Sequence, residues 1–479
     1  MMWSVVLILS FLQAIGLIMA QDLNRLRETL AAGDVYTLFP EDNGYPQAAQ
    51  AYNGRFIIEP IAIAYPRNAD QVSTAIKAGA EQNIRVVSRS GGHSYIANGL
   101  GGKNGSLVVN MSNFSNVTLD VSTNLAIIQP GSRLGDIALA LNDHGRAIPH
   151  GHCSTVGLGG HAAHGAWGFV SRQWGLTLDH IVSTQLVLAN GSITTVSEDN
   201  NPELFWGIRG SASSFGVVTS YEFSTVPVPE EGTYFVYNWN VSVAEASIFL
   251  TSFQDFVQSG IPNTLGLELR LLRGNIVGNL SMQLDGAYFG NWIETVAALT
   301  FGALNTSTQA PINDTFYAKS LMIPEDSPLS MGAVDALMSY LDTVRLWFVE
   351  IELYGGSNSA INLVPVDETL FNMQLYASSV VPPYPKDGFA FLDGITDVII
   401  SNSPDNWGYG TYINYPDNRL DNCELSLSVV SPLLDDYYSG QNLYYRFSLF
   451  APTGSQEGIR PFERLQLSFS YRSIAKRQY

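Results

Sequence analysis

Two short stretches decide how the chain reads: Ser88-Arg89-Ser90-Gly91-Gly92-His93-Ser94-Tyr95 and Gly151-His152-Cys153-Ser154-Thr155-Val156-Gly157-Leu158-Gly159-Gly160. Each sets one nucleophilic side chain, His93 or Cys153, among small residues. Glycine reaches positive φ and lets backbone approach a ligand closely. The apolar run Ile84 to Val87 reads as a short buried strand. His93 therefore falls on a strand-exit loop whose N–H groups have the character of an anion nest. The second stretch repeats the recipe and runs on to Gly165 and Gly168.

A chain of 479 residues suits two large domains, or one large domain and one interrupted domain. Hydrophobic residues make up 46% and charged residues 14%, enough for a sizeable core. The net charge of −19 argues against nucleic acid and anionic membranes as partners and is compatible with a neutral or cationic small substrate. Residues 1–20 form an apolar run ending at Ala20, which reads as a secretory signal peptide; as an anchor helix it is short and interrupted by Ser10 and Gln13. Nine Asn-x-Ser/Thr sequons, at Asn104, Asn110, Asn113, Asn116, Asn190, Asn240, Asn279, Asn305 and Asn313, agree with an extracellular glycoprotein. The two cysteines, Cys153 and Cys423, could pair, although a core of this size needs no disulfide. A monomer is expected.

Along the chain, Asn68 to Gln71 reads as a capping box ahead of a helix with Val72, Ala75, Ile76 and Ala80 on one face. Strands are expected at 107–109, 126–128 and 185–188, and helices at 136–142 and from Pro202. The mixture is an α+β pattern. A boundary signal, Pro227-Val228-Pro229-Glu230-Glu231-Gly232, precedes a second texture of aromatic strands (234–239, 347–354) and helices (244–256, 334–341).

All seven histidines lie between His93 and His180. His150-Gly151-His152 and His161-Ala162-Ala163-His164 lack the closed ligand set of a zinc site, so no metal is expected. Gly157-Leu158-Gly159-Gly160 lacks the following strand with a terminal acid that a dinucleotide fingerprint requires.

The two opening stretches resemble the FAD-linked oxidases of the vanillyl-alcohol-oxidase superfamily, in particular the berberine-bridge-enzyme-like branch. The resemblance runs over about 50–225, through Trp174-Gly175-Leu176-Thr177-Leu178-Asp179 and Pro202-Glu203-Leu204-Phe205-Trp206-Gly207-Ile208-Arg209-Gly210, and returns at Tyr412-Ile413-Asn414-Tyr415. It implies a PCMH-type FAD-binding domain over 21–227 (core about 55–227), a substrate domain over 228–404 with an antiparallel sheet covered by helices, and a return to the first domain over 405–479. It implies FAD bonded through its 8α-methyl to His93 and through C6 to Cys153, with Arg89, Ser90, Gly91, Gly92, Ser94, Val156, Gly157, Gly160, His161, Gly165, Gly168, Val218 and Asn414 around the cofactor. Protein supplies such a flavin with binding, orientation and electronics.

Removing hydride from an alcohol carbon also requires a base for the hydroxyl proton. In the oligosaccharide oxidases of this branch a tyrosine beside a carboxylate serves. The resemblance therefore points to Tyr415 or Tyr412 with Glu352, favouring Tyr415. A free tyrosine titrates near 10, so a carboxylate acceptor helps it. On a strand Glu350 and Glu352 share a face. Gln374 resembles a substrate-contacting residue, and Tyr95, Glu268 and Glu350 join it as candidates; Trp347 is a weaker one. The implied activity is hydride transfer from an alcohol or hemiacetal, foremost the reducing end of an oligosaccharide, with dioxygen as acceptor; a tailoring oxidase of an aromatic or alkaloid metabolite and a weakly active flavin-carrying protein are the alternatives. From about Cys423 the chain departs from the family pattern and reads in part as a retained intron.

Overall fold

The computed structural model describes residues 23–229, 232–289, 314–342, 347–355, 369–379, 382–405 and the positions 407, 409, 412, 415 and 419. The expected cofactor contact Asn414, the tail from Cys423 and the 1–20 leader lie outside them.

The first sheet is built from β1 (Tyr36–Leu38), β2 (Ala62–Tyr65), β3 (Val86–Arg89) and β4 (Leu107–Asn110) in the order β1-β2-β4-β3. β4 pairs in parallel with both β2 and β3, while β1 is antiparallel to β2. The crossover is the helix Ala69–Glu81, whose Val72, Ala75 and Ile76 are buried. The Asn68 carboxamide caps it by accepting from the Gln71 amide at 2.9 Å. The reciprocal arm of the expected capping box is displaced: the Gln71 side chain accepts from the Arg67 amide at 2.8 Å, one residue upstream of the cap. The strand expected at 84–87 runs at Val86–Arg89, so the strand ends directly at the glycine turn before His93.

Seven strands follow: β5 (Val117–Asp120), β6 (Leu125–Ile128), β7 (Arg146–Ala147), β8 (Ile181–Leu188), β9 (Ile193–Ser197), β10 (Gly216–Ser224) and β11 (Val226–Pro227). Five of them form an antiparallel sheet, β5-β6-β10-β8-β9, and β7 pairs with β11. The Cys153 stretch leaves β7 and enters a short helix, Leu158–Ala162.

The remaining strands are β12 (Thr233–Ser242), β13 (Leu265–Arg273), β14 (Asn279–Tyr288), β15 (Thr315–Pro324), β16 (Trp347–Leu353) and β17 (Thr369–Ser379). They form one antiparallel sheet in the order β12-β14-β13-β16-β17-β15. Helices Val243–Gln258, Met331–Leu341 and Lys386–Ser401 cover one face, packing Leu250, Phe253, Leu337, Met338, Leu392 and Ile395 against Leu269, Val349, Ile351, Met373 and Leu375. Trp347 belongs to this core, away from the other face.

That other face is polar where an ordinary core face is apolar. Side chains alternate along a strand, and four strands each carry a polar-apolar-polar triplet: Gln283-Leu284-Asp285, Glu268-Leu269-Arg270, Glu350-Ile351-Glu352 and Asn372-Met373-Gln374. The register aligns them into two cross-strand rows, Asp285–Glu268–Glu352–Asn372 and Gln283–Arg270–Glu350–Gln374. Asp285, Glu268, Glu352, Asn372 and Gln374 are buried. Buried polar groups persist only where they are paired, and these meet the loops of the first two sheets.

Candidate active site

The two glycine-rich stretches touch backbone to backbone. A Cβ built on Gly91 would lie 2.3 Å from the Gly157 nitrogen, and one on Gly157 would lie 2.1 Å from the Gly91 nitrogen, so neither position accepts a side chain. Ser90 stitches the contact: its hydroxyl donates to the Pro130 carbonyl and accepts from the Gly159 amide at 3.1 Å. Gly92 has φ +78°, and the amides of Gly91, Gly92 and His93 have no hydrogen-bond partner among the described residues. Arg89 donates to the carbonyls of Ala48 (2.5 Å) and Gln50 (3.0 Å), clamping that upstream segment onto the His93 loop. Ser94 accepts from the Asn98 amide at 3.0 Å.

His93 is half-buried, with Tyr52 stacked on its ring at 4.3 Å between centroids. Burial, with Arg133 and Arg89 nearby, pushes the imidazole down to about 4, so it is neutral at physiological pH. Cys153 is exposed although half-buried His152 precedes it and buried Ser154 follows it. The enclosing walls and the carboxylates of Glu350 and Glu268 push it up to about 12. His161 accepts from the Gly151 amide at 3.0 Å and is pushed down to about 3 by burial, so a neutral imidazole buckles the Cys153 stretch. A Cβ on Gly168 would lie 1.9 Å from the His150 carbonyl; Gly165 has φ +119°. Val156 packs against the core and Val218 is buried in β10.

Across the cleft, the Tyr415 hydroxyl donates to Glu352 Oε1 at 2.6 Å, and Asn372 Nδ2 donates to Glu352 Oε2 at 2.8 Å. Burial raises Glu352 to about 7 against the relief from these two donors. Tyr415 lies well above its usual range, through burial and the facing carboxylate. Tyr95 stacks on Tyr415 with centroids 5.8 Å apart, and its hydroxyl accepts from Gln374 Nε2 at 2.8 Å. Tyr412 is placed differently. Its hydroxyl accepts from the Ala166 amide at 2.9 Å, and its ring meets Tyr415 edge-on at 5.2 Å.

Glu268 is held by His152 Nε2 at 3.1 Å and Arg270 at 2.6 Å; Arg270 also bonds Asp285 at 3.2 Å and Glu350 at 3.0 Å. Among the described residues no group of three or more His, Cys, Asp and Glu side chains could hold a metal.

Residues 60–197 match the family model of the FAD binding domain. The chain is 36% identical to the xylooligosaccharide oxidase of Thermothelomyces thermophilus over 84% of this chain and 85% of that one. It is 36% identical to the FAD-linked oxidoreductase dpmaF of Metarhizium anisopliae over 79% and 81%. It superposes on the solved glucooligosaccharide oxidase of Acremonium strictum, described with a 6-S-cysteinyl, 8α-N1-histidyl FAD, with a TM-score of 0.77 and 30% identity, covering 86% of this chain and 96% of that one.

The chain belongs to this family of FAD-linked oxidoreductases.

The site fits the family's cofactor on its own geometry. The amides of Gly91, Gly92 and His93, unpartnered among the described residues and set at a positive-φ glycine, are a donor set of the kind that binds phosphate. A Cβ on Gly160 would meet nothing within 4 Å, so this wall stands clear of other protein. The resemblance correctly implied a mixed α+β fold with an antiparallel sheet covered by helices. The structure gathers His93, Cys153, Tyr95, Gln374, Glu350, Glu352, Glu268 and Tyr415 about one cleft. Sequence reading missed Tyr52, His152, Arg270, Asp285 and Asn372. The signal for the last three was present in the four aligned polar-apolar-polar triplets; Tyr52 carried none.

Proposed function

We propose that this FAD-dependent oxidase oxidises the reducing-end C1 hydroxyl of an oligosaccharide to the lactone, with dioxygen taking the electrons away as hydrogen peroxide. The flavin is held twice, by His93 and by Cys153, as described for the Acremonium enzyme. When bound, the flavin supplies the hydride acceptor and the route to oxygen. The observation that carries the reading is the Tyr415–Glu352 hydrogen bond on a polar sheet face opposite both attachment residues.

Tyr415 takes the substrate hydroxyl proton at its Oη while its own proton passes along the 2.6 Å bond to Glu352 Oε1. This relay resolves a difficulty: burial makes Tyr415 alone a weak acid that would not ionise, whereas Glu352, near 7, accepts a proton at neutral pH. Asn372 fixes the second carboxylate oxygen and so the direction of the first. Tyr95 backs the Tyr415 ring by stacking, with its own hydroxyl held by Gln374. Glu350, pushed up to about 8 by burial and the facing Glu268, offers the substrate a carboxyl group anchored by Arg270, while Glu268 lies beneath it, held by His152 and Arg270. The protein acts outside the cell in glycosylated form, a reading that rests on residues 1–20 and the sequons.

A second reading, oxidation of a flat aromatic metabolite, is favoured by the wall Phe316–Tyr376–Phe348, with centroids 4.8 and 4.4 Å apart. Peroxide release on a panel of cello-, chito- and xylo-oligosaccharides beside aromatic alcohols separates the two. Turnover confined to the aromatic alcohols removes the sugar reading; flavin that no member of the panel reduces removes both.

A further inference from the structure

The aromatic ring stacked on His93 comes from the segment that Arg89 clamps onto the His93 loop. Tyr52 stacks on the imidazole with centroids 4.3 Å apart and planes 28° from parallel. The same ring lies nearly parallel to Tyr95 at 6.3 Å and meets the edge of Phe316 at 5.9 Å. It has little freedom to leave. Its neighbour Asn53 is fully buried and makes four hydrogen bonds: it donates to the carbonyls of Tyr95 (2.9 Å) and Phe316 (2.8 Å), and accepts from the amides of Arg55 (3.0 Å) and Phe316 (3.1 Å). On the other side, Arg89 of the His93 stretch grips the Ala48 and Gln50 carbonyls. Chain, sheet and loop thus converge to hold one tyrosine against one histidine.

A histidine that forms a covalent bond must be neutral and correctly turned. The first condition is met by burial beside Arg133 and Arg89. The second is not guaranteed by the loop, because rotation about Cβ–Cγ out of the stacked plane would swing the ring edge and its nitrogens away from the cleft. We propose that Tyr52 is a positioning residue for the histidyl–flavin bond, its ring fixing the imidazole plane so that one nitrogen of His93 faces the 8α carbon. The proposal rests on the doubly attached flavin of the preceding section. In the step, a His93 ring nitrogen forms the N–C bond, one proton leaves the methyl carbon and one leaves the imidazole. The two electrons released pass by way of the isoalloxazine to dioxygen, which departs as hydrogen peroxide. The ring face of Tyr52 does the positioning, so its hydroxyl is dispensable.

The test reads attachment rather than activity. Holoprotein is precipitated in acid, and flavin is measured in pellet and supernatant and located by mass on proteolytic peptides. In Cys153→Ala only the histidyl bond remains, and the pellet should stay yellow. Adding Tyr52→Ala should lower the pellet flavin about tenfold or more, since small misplacements of reacting groups are that costly. Adding Tyr52→Phe instead should restore it. In the His93→Ala background, Tyr52→Ala should leave the cysteinyl flavin in the pellet, which also shows that the variant folds and binds flavin. Full histidyl loading in Cys153→Ala/Tyr52→Ala overturns the proposal, as does loss of cysteinyl flavin in His93→Ala/Tyr52→Ala. A colourless pellet from Cys153→Ala alone refutes the histidyl bond itself, and the proposal with it.

Discussion

The hydroxyl of Tyr415 and the carboxylate of Glu352 stand 2.6 Å apart, joined across the cleft from a segment near the C-terminal end of the described chain to the fifth strand of the large sheet. The pairing gives a buried carboxyl group two fixed donors and one proton route.

Glu352 works as the proton acceptor only when ionised. With burial holding it at about 7, the single-turnover rate of flavin reduction should climb through that pH and level off above it, about tenfold lower one pH unit below. Glu352→Gln should flatten the profile and slow reduction about 10²–10⁴-fold. The stability sign is the opposite. A carboxyl raised in the folded state stabilises fully below its unfolded value and loses that contribution as pH rises from 4.5 through about 7. Melting temperature should therefore fall less across that window in Glu352→Gln than in the parent. A wild-type reduction rate independent of pH between about 5 and 9 would contradict the assignment.

Arg270 serves three carboxylates at once, Glu268, Asp285 and Glu350, and is itself largely buried. Arg270→Met leaves buried negative charge opposed by His152 alone among the groups bonded to Glu268. Such a removal costs about 3–5 kcal/mol. Urea unfolding should show the loss to be larger at high pH than at low pH, where protonation relieves the carboxylates. A loss equal at both ends would mean that the missing contribution is packing rather than charge.

Tyr412 accepts the buried amide of Ala166 at 2.9 Å. Tyr412→Phe leaves that donor unpartnered and should lower stability by about 1–3 kcal/mol. The rate of flavin reduction should change little, since the proton route runs through Tyr415. Loss of reduction with unchanged stability would transfer the base role to Tyr412.

The reach of the sequence follows interaction range. The His93 and Cys153 stretches declare themselves locally, because glycines at Gly91 and Gly157 are demanded by a backbone contact that any single side chain would block. The helix start at Ala69 follows from its cap Asn68, and the helix expected at 244–256 runs at Val243–Gln258. By contrast, no local pattern marks β13, β14, β15 and β17 as strands. Leu265–Arg273 is rich in Leu and Arg, residues that favour helix in isolation, and cross-strand pairing overrides that preference. The four polar-apolar-polar triplets are legible in the sequence, but their alignment into rows is not: Glu268, Glu352 and Asn372 become neighbours only through register. Tyr52 reaches His93 through Arg89 and Asn53, contacts that no local pattern announces.

The measurement closest to the central claim is anaerobic stopped-flow bleaching of the flavin by an accepted oligosaccharide, comparing the parent protein with Tyr415→Phe. The relay predicts that the variant retains acid-stable flavin yet is reduced about 10²–10⁴-fold more slowly. Reduction of Tyr415→Phe at the parent rate would contradict it.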